Sequence, residues 1–216
     1  MRPRLLDLFC CEGGAAAGYH AAGFDVVGVD IEPRPNYPFP FVQADALAPP
    51  FDLSSFDAIH ASPPCQHYSV ATKATGNPDD HPDLVAPTRA LLESSGLPYV
   101  IENVVGAPVR RDLMLCGSMF GLQIQRHRLF ELGGWLLWGG APPCRHYEHD
   151  TIYDVTGGAG GPNQTRRHWN GRSLKYHNAA HARELMSMPW ATRYGCTQAI
   201  PPQYTDFIGE QLKGAL

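Results

Sequence analysis

The sequence predicts an α/β protein built on a doubly wound, mostly parallel sheet. Short apolar segments of strand length alternate with helical segments over residues 1–132, which is typical of such sheets. The first two strand-like segments also enclose a glycine-rich turn, as in a βαβ unit. A length of 216 residues suits one domain of this kind with a small appendage.

The individual elements follow from apolar spacing and from glycine. A buried strand at 5–9 leads into a glycine and alanine segment that opens a helix, and Gly23 is expected to stop it. A second strand, at 26–30, ends on Asp30. The same patterns predict the later elements, which are strands at 41–44, 58–61, 99–102 and 128–132 and helices at 83–95, 179–188 and 203–216.

Residues 133–178 lose this alternation and are rich in glycine, proline, histidine and tryptophan, which favours a loop-dominated insert. We therefore expect three parts: an α/β domain at 1–132, a small insert at 133–180, and a segment at 181–216 that returns to the first domain.

Composition excludes a membrane-spanning protein. No apolar run approaches the roughly 18–20 residues that a span needs. The apolar stretch near the N-terminus is broken at Asp7, unlike a signal peptide. We therefore expect a cytoplasmic protein whose six cysteines are reduced.

Charge is distributed unevenly along the chain, whose net charge is −4. Residues 1–109 carry 5 Lys/Arg against 13 Asp/Glu, whereas residues 110–194 carry 11 against 6. A polyanion, if one binds, is expected against residues 110–194.

The turn from Asp7 to Gly14 joins a strand to a helix. Its glycines let a ligand approach the backbone, and a helix N-terminus offers free N–H groups to a carboxylate. Asp30, one strand away, is placed to accept both hydroxyls of a ribose. The spacing is not that of the dinucleotide fingerprint, so an ordinary tight turn is the alternative.

Cys65 follows two prolines at the end of a short predicted strand. Pro63 and Pro64 stiffen the backbone and remove two N–H donors, which suits a side chain held at one position over a sheet edge. The alternative is an inert core thiol, which is the commoner role of a single cysteine.

Three charged residues flank predicted strands. Glu102 ends one strand, where a carboxylate is costly unless it is paired or functional. Arg126 and Arg128 precede another, and their period of two predicts that both guanidinium groups face the same way. Structural ion pairs are the alternative for each.

Taken together, the order of these segments resembles the cytosine-5 DNA methyltransferases across nearly the whole chain. The resemblance implies a Rossmann-like, S-adenosylmethionine-dependent fold, in a small, phage-like member with a reduced target-recognition region. The segments that carry it are Asp7-Leu8-Phe9-x-x-x-Gly13-Gly14, Val29-Asp30-Ile31, Gln43-Ala44-Asp45-Ala46-Leu47, Pro63-Pro64-Cys65-Gln66-x-x-Ser69, Glu102-Asn103-Val104, Gly121-Leu122-x-x-x-Arg126-x-Arg128-Leu129-Phe130, Ala182-Arg183-Glu184-Leu185-Met186-x-Met188-Pro189 and Ala199-Ile200-Pro201-Pro202.

The resemblance implies that S-adenosylmethionine is the cofactor. Its ribose and adenine would be surrounded by residues of the first three motifs, and other residues would shape the pocket. The implied cofactor-binding set is Phe9, Cys10, Gly13, Gly14, Asp30, Ile31, Asp45, Ala46, Pro64, Gln198 and Ala199.

The resemblance also implies a catalytic set of Cys65, Glu102, Arg126 and Arg128. Cys65 would add to carbon 6 of cytosine, Glu102 would hold N3 and the exocyclic amine, and Arg128 would hold O2. Both arginines would lower the pKa of the thiol, because the thiolate is the nucleophile. A base in a stacked duplex is out of reach, so the base would be flipped out or single-stranded.

DNA is the implied partner, with no membrane and no obligatory protein partner. The insert interleaves basic and aromatic residues, which suits phosphate and base contacts, although a solvated loop is the alternative. An insert this small can make few contacts to bases, which predicts recognition of a short or relaxed DNA sequence. The residues expected to touch DNA are Gln66, Ser69, Arg166, Arg167, Arg172 and Lys175.

The chain departs from the family pattern at several positions: Cys11 and Glu12 in the first motif, Ile124 at the opening of the paired-arginine motif, and Thr197-Gln198 in the last motif. A carboxylate beside the carboxylate of the cofactor would repel it. Glu12 could therefore point away, pair with an arginine, or mark an unusual cofactor preference.

We predict no metal site. Cys144, His146 and His149 could join Cys116 or Cys196 around zinc, but their spacing is irregular.

Two other functions stay open at this stage. The small insert is compatible with methylation of cytosine in RNA or in a free nucleotide. The departures at Cys11, Glu12 and Gln198 are compatible with a catalytically idle module that binds the cofactor or DNA. For the leading interpretation we expect a bacterial or phage-infected cytoplasm as the setting.

Overall fold

The computed structural model describes most of the chain. The described residues are 1–69, 72, 76–145, 152–153, 155, 165–167, 173–175 and 178–216, with only the backbone described at 165–167 and 173–175. Within these ranges no helix has both the length and the apolar character to cross a membrane.

Seven strands form one sheet in the order β3-β2-β1-β4-β5-β7-β6. The first five strands in this order are parallel, and β7 runs antiparallel to both of its neighbours. The predicted doubly wound, mostly parallel sheet is confirmed. The strands are β1 (Arg4–Leu8), β2 (Asp25–Asp30), β3 (Phe41–Gln43), β4 (Ala58–Ala61), β5 (Tyr99–Asn103), β6 (Leu113–Leu115) and β7 (Arg128–Gly133).

The helices of the described residues cover both faces of this sheet. Alternate residues of a strand point to opposite faces, so Leu5 joins the apolar core on one face and Leu6 the core on the other. The helices are α1 (Gly14–Ala21), α2 (Val85–Ser95), α3 (Ala179–Met186), α4 (Arg193–Gln198) and α5 (Pro202–Lys213).

The C-terminal helix packs against the first helix of the chain. Thr205 Oγ1 in α5 donates a hydrogen bond of 2.7 Å to the Ala15 carbonyl in α1. A Cβ atom at Gly18 would overlap the Pro202 carbonyl, so the glycine permits this close approach. The last segment is thereby held beside the turn that follows β1.

Several of the observed elements were not predicted. Leu113–Leu115 and the α4 segment are too short for a periodic pattern to develop. A two-stranded antiparallel hairpin, β8 (Thr165–Arg167) and β9 (Ser173–Lys175), lies inside the region expected to be loops. Each of its strands has only three residues, which is below the length that alternation can reveal.

Candidate active site

A cavity opens at the carboxyl ends of β1, β2, β4 and β5. The chain adds β2 and β3 on one side of β1 and then continues with β4 and β5 on the other side, so the order of the strands reverses at this point of the sheet. Ligands bind at this edge in open α/β sheets. The lining residues come from the first turn, the ends of the neighbouring strands and the α4 region: Asp7, Phe9, Cys10, Cys11, Gly14, Ala15, Asp30, Ile31, Arg34, Ser62, Pro63, Pro64, Cys65, Gln66, Glu102, Arg128, Tyr194, Gln198, Ala199 and Ile200.

The turn between β1 and α1 is unusually tight. Phe9 and Cys11 adopt positive φ angles of 57° and 48°, which L residues with side chains rarely adopt. The Cys11 N–H donates a hydrogen bond of 2.9 Å to Asp30 Oδ2, so the end of β2 holds the turn in this conformation. The backbone of the turn is thereby fixed against the cavity.

Asp30 is more heavily bonded within the protein than the sequence indicated. Its Oδ1 accepts from the Glu32 N–H at 3.0 Å and from Arg34 Nη2 at 2.9 Å. Arg34 also lines the cavity, and nothing in the sequence pattern pointed to it because it lies in an irregular loop. The Asp30 side chain still borders the cavity, but it does so as one half of an ion pair.

Asp7 is a fully buried carboxyl at the base of the same cavity. Its Oδ2 accepts from Tyr37 Oη at 3.3 Å, while its Oδ1 has no hydrogen-bond partner among the described residues. Burial raises the pKa of Asp7 to about 8. An unsatisfied buried carboxyl oxygen at a cavity wall suits a cationic ligand group.

Cys65 is held rigidly in the cavity wall. Asn103 Nδ2 donates a hydrogen bond of 3.0 Å to the Pro63 carbonyl, and the Tyr68 and Ser69 amides donate to the Cys65 carbonyl at 3.0 and 2.9 Å. The two prolines therefore lead into a turn that is fixed on both sides of the thiol. The sequence predicted the stiffness but not the role of Asn103.

Burial is the largest influence on the Cys65 thiol and raises its pKa. Arg128 and, more weakly, Arg126 act in the lowering direction that we expected, while the Glu102 carboxylate acts in the raising direction. The net direction is the opposite of the one expected from the arginines alone. The thiol is therefore the resting form in the free protein.

Glu102 and Arg128 form an ion pair that faces the thiol. Arg128 Nε lies 2.9 Å from Glu102 Oε1, and their side chains are 15% and 9% exposed. Burial raises the pKa of Glu102, and the charge of Arg128 opposes that rise. The net rise favours the protonated form of this cavity carboxyl relative to a free glutamate, and a protonated carboxyl can act as an acid.

A line of hydrogen-bonding groups connects Glu102 through Ser62 to two buried side chains, His60 and Tyr19. Ser62 Oγ lies 2.9 Å from His60 Nε2, and Tyr19 Oη lies 3.1 Å from His60 Nδ1. Burial lowers the pKa of His60 to about 3, so its ring is neutral. Hydrogen bonding from Ser62 lowers the pKa of Glu102. The sequence did not reveal this line, because only the fold brings Tyr19 to β4.

Arg126 lies apart from the cavity. Its guanidinium donates hydrogen bonds to the carbonyls of Val155 and Thr197, at 2.6 and 2.7 Å, and it is 5% exposed. Unlike Arg128, Arg126 is not among the residues that line the cavity, although its charge also lowers the pKa of the Cys65 thiol. The strand begins only at Arg128, so its alternation does not extend back to Arg126.

Three residues of the expected cofactor set do not line the cavity. Gly13 is enclosed by Tyr37 and Pro38, and Asp45 Oδ1 accepts from the Leu47 N–H at 2.9 Å within a turn. Ala46 is buried in the apolar core. The other members of that set line the cavity, and they are Phe9, Cys10, Gly14, Asp30, Ile31, Pro64, Gln198 and Ala199.

The residues expected to touch DNA are divided between the cavity and the insert. Gln66 lines the cavity, and Ser69 lies on the turn that follows Cys65. Arg166 and Arg167 belong to β8 and Lys175 to β9, where only the backbone is described. Arg172, like His146 and His149, lies outside the described residues.

Glu12 points away from the cavity, which was one of the three arrangements considered. Its carboxylate oxygens accept from the Thr192 N–H and from Thr192 Oγ1, each at 2.6 Å. Trp190 Nε1 also donates to the Glu12 carbonyl at 2.7 Å. Glu12 therefore connects the turn before α1 to the start of α4.

Comparison with known proteins finds one family model that covers half of the chain, and relatives in sequence and in structure. A model of the C-5 cytosine-specific DNA methylase family matches residues 3–111. The type II methyltransferase M.AquIA of Picosynechococcus sp. is 32% identical over 124 residues, which are 49% of this chain and 50% of that protein. The chain thus spans about half the length of the curated relative it matches.

Solved structures share the fold at low sequence identity. A prophage-encoded E. coli protein assigned as a DNA modification methyltransferase has a TM-score of 0.61 at 13% identity, covering 99% of each chain. The Entamoeba histolytica methyltransferase EhMeth has a TM-score of 0.60 at 11% identity, over 99% of this chain and 98% of that one. The S. pombe Dnmt2 methyltransferase has a TM-score of 0.60 at 14% identity, over 99% of each chain.

Proposed function

The chain belongs to the family of C-5 cytosine-specific DNA methylases, and from this premise we propose that it transfers a methyl group from S-adenosylmethionine to carbon 5 of cytosine in DNA. The observation that carries the proposal is the meeting of Cys65, Glu102 and Arg128 on one cavity that also borders the turn after β1. A thiol, a carboxyl with a raised pKa and a guanidinium are the groups that this chemistry needs.

Two features of the cavity fit S-adenosylmethionine. Asp7 Oδ1 is buried without a donor among the described residues and suits a cationic group of the cofactor. Ile31 is a large apolar side chain that is 66% exposed at the cavity, and with Phe9 it suits an apolar ring. When bound, the cofactor supplies a methyl group on a sulfonium. Asp7, Phe9, Asp30, Ile31 and Gln198 would hold it.

Cys65 supplies the nucleophile. Carbon 5 of cytosine is a poor nucleophile while the ring is aromatic, and a bond from Cys65 Sγ to carbon 6 removes that aromaticity. The electron pair of the 5,6 double bond then becomes available at carbon 5, which would form a bond to the methyl group as the sulfonium–methyl bond breaks. A base then removes the carbon 5 proton, and the bond from Cys65 to carbon 6 breaks, which releases the thiolate and restores the aromatic ring. Because the thiol is the resting form, it must lose its proton to solvent before Sγ adds, and the positive charge of Arg128 stabilises the resulting thiolate.

Glu102 supplies the acid. As Sγ adds to the ring, negative charge develops towards N3, and a protonated carboxyl there can donate to it. Burial raises the pKa of Glu102 and so increases its protonated fraction near neutral pH. Arg128, held 2.9 Å away, fixes the orientation of the carboxyl and can donate to the ring oxygen O2.

The substrate base must leave the duplex stack to react. Cys65 and Glu102 lie in the wall of a cavity, and enzymes that react with a ring atom of a base take that base out of the stack. We therefore propose that the cytosine is flipped out or presented in a single strand. The hairpin β8–β9, which carries Arg166, Arg167 and Lys175, would contact the DNA backbone.

A label-transfer assay tests the proposal. Tritium from labelled S-adenosylmethionine is followed into duplex DNA, RNA and dCMP, with Cys65→Ala and the buried-thiol control Cys196→Ala measured in parallel. We expect label in DNA, loss with Cys65→Ala and retention with Cys196→Ala. Label that survives Cys65→Ala overturns the mechanism, and label confined to RNA or dCMP overturns the substrate.

The covalent step has its own test. DNA that contains 5-fluorocytosine should form a denaturant-stable adduct, because fluorine blocks the loss of the proton at carbon 5. We expect the adduct with the wild-type protein and with Cys196→Ala, but not with Cys65→Ala. Cofactor binding with neither methyl transfer nor adduct would identify an idle binding module instead.

A further inference from the structure

Two cysteines and a histidine meet at a place away from the proposed active site. The ligand atoms of Cys116, His127 and Cys144 all lie within 4.8 Å of one another. Cys144 Sγ is 3.5 Å from His127 Nε2. None of the three residues lines the cavity that holds Cys65. We call this group the Cys2His cluster.

The Cys2His cluster has the dimensions of a zinc site. Tetrahedral zinc with Zn–S of about 2.3 Å and Zn–N of about 2.0–2.1 Å sets its sulfur and nitrogen ligands about 3.6 Å apart. The observed distance between Cys144 Sγ and His127 Nε2 is 3.5 Å. Two sulfur ligands of zinc lie about 3.8 Å apart, which is within the 4.8 Å spread of the cluster.

Polar groups around the cluster suit bound thiolates. Ser118 is 5% exposed, and its Oγ lies 3.5 Å from both Cys116 Sγ and Cys144 Sγ. The Arg145 N–H donates to the same Oγ at 3.0 Å, which leaves the hydroxyl proton directed to sulfur. Outer hydrogen bonds of this kind orient metal ligands and tune their basicity.

We propose that Cys116, His127 and Cys144 bind a structural zinc ion. Two thiolates and a neutral imidazole are the ligands that zinc prefers, and three of them from distant parts of the sequence already converge. The fourth coordination position belongs to a further ligand. His146 and His149 lie outside the described residues, and the proposal does not depend on them.

The position of the ion suggests what it stabilises. Cys116 directly follows β6, and His127 directly precedes Arg128 at the start of β7. Cys144 lies in the segment that follows β7. Zinc would therefore join three segments around the antiparallel edge of the sheet and fix the point at which Arg128 enters the active site. Its contribution would appear as folding stability.

Metal analysis of the full chain tests the proposal without any activity measurement. The protein is purified under reducing conditions, loaded with zinc, freed of excess ion, and analysed for zinc by mass spectrometry. We expect about one zinc per chain. Cys144→Ser should lose nearly all of it, since this half-buried residue can be changed with less risk to the core than Cys116. The matched control, Cys196→Ala, removes a buried thiol outside the cluster and should keep the zinc.

Cobalt(II) provides an independent readout of the ligands. Substitution of the wild-type protein should give the thiolate-to-cobalt charge-transfer band and the visible bands of a tetrahedral site. Cys144→Ser should weaken the charge-transfer band, and His127→Asn should shift the visible bands. A chelator should lower the Tm of wild type but not that of Cys144→Ser.

Two results overturn the proposal. One is a folded, reduced wild-type protein that retains no zinc, gives no charge-transfer band and keeps its Tm in the chelator. The other is a disulfide between Cys116 and Cys144 together with failure of the reduced protein to bind zinc. Neither result bears on methyl transfer, so this inference and the proposed function fail separately.

Discussion

Thr192 donates two hydrogen bonds of 2.6 Å to Glu12, one from its backbone N–H and one from its hydroxyl, and each reaches a different carboxylate oxygen. Thr192 Oγ1 also accepts from the Gly195 N–H at 2.9 Å and so caps α4. A Cβ atom at Gly195 would overlap the Glu12 carboxylate. The acidic residue that departs from the family pattern thus joins the turn before α1 to the start of α4.

Glu12→Gln should therefore destabilise the protein without altering its cavity. An amide provides only one acceptor oxygen for two donors and turns its NH2 group towards one of them. The free energy of unfolding should fall by about 2 kcal/mol, because hydrogen bonds to a charged group are involved. Urea unfolding measures this change, and the exposed residue Glu93 offers the control Glu93→Gln.

Binding of S-adenosylhomocysteine by folded Glu12→Gln distinguishes a structural role of this residue from a role in cofactor selection. Because the Glu12 side chain does not line the cavity, affinity should stay close to that of wild type. A large gain or loss of affinity with unchanged stability would instead assign Glu12 to cofactor selection.

Asp7 should make stability depend on pH. Burial raises its folded-state pKa from 3.8 to about 8. Between these pKa values the folded state retains a proton that the unfolded state releases. The contribution of protonated Asp7 to the free energy of unfolding is therefore lost as pH rises from about 4 to about 8. The free energy of unfolding of wild type should fall over this range relative to that of Asp7→Asn. The exposed Asp25→Asn variant should follow wild type.

The same carboxyl should couple cofactor binding to pH. If the ionised form pairs with a cationic group of the ligand, the affinity for S-adenosylhomocysteine should rise as pH approaches the Asp7 pKa of about 8. Calorimetry in buffers of different ionisation enthalpy should detect proton release on binding. An affinity that is independent of pH between 6 and 8 contradicts this role for Asp7.

The parts of the site that the sequence predicted are those that depend only on strand order. Cys65 and Glu102 follow or end β4 and β5, and parallel neighbours deliver their carboxyl ends to one edge. Arg128 opens β7, which runs antiparallel to β5, and so its first residue reaches the same edge. A pattern of apolar segments contains this information, because it fixes where each strand begins and ends.

The remaining contacts depend on irregular backbone and on long sequence separations. Arg34 reaches Asp30 from a loop, and Tyr37 reaches Asp7 from thirty residues away. The spacing of cysteines and histidines did not predict the Cys2His cluster, because its histidine, His127, is adjacent in sequence to neither Cys116 nor Cys144. No periodicity relates such residues, so only the folded chain shows that they meet.

Ser62 should tune the acid in the active site. Its hydrogen bond lowers the pKa of Glu102, so Ser62→Ala should raise that pKa. If protonated Glu102 is the active form, activity falls as pH rises through its pKa. The alkaline limb of the kcat profile should therefore move to higher pH in the variant.

The control for this shift is Ser94→Ala, which removes an exposed hydroxyl in α2 that bonds only a local carbonyl. A structural effect of Ser62→Ala would lower kcat at every pH and leave the limb in place. Movement of the limb to lower pH would show that Ser62 acts on the carboxyl in the opposite sense.

Substitution of Arg126 should mainly lower the stability of the protein, whereas substitution of Arg128 should mainly lower its catalytic rate. Arg126→Gln removes charged hydrogen bonds to the Val155 and Thr197 carbonyls, and should lower the free energy of unfolding by about 2–3 kcal/mol. Activity per folded molecule should largely persist, because Arg126 does not line the cavity. Arg128→Gln removes the partner of Glu102 and the cation nearest the thiol, so methyl transfer should fall about 100-fold or more. Urea unfolding and single-turnover rates measured on both variants provide the comparison. Equal catalytic losses, after correction for the folded fraction, would return Arg126 to the catalytic set.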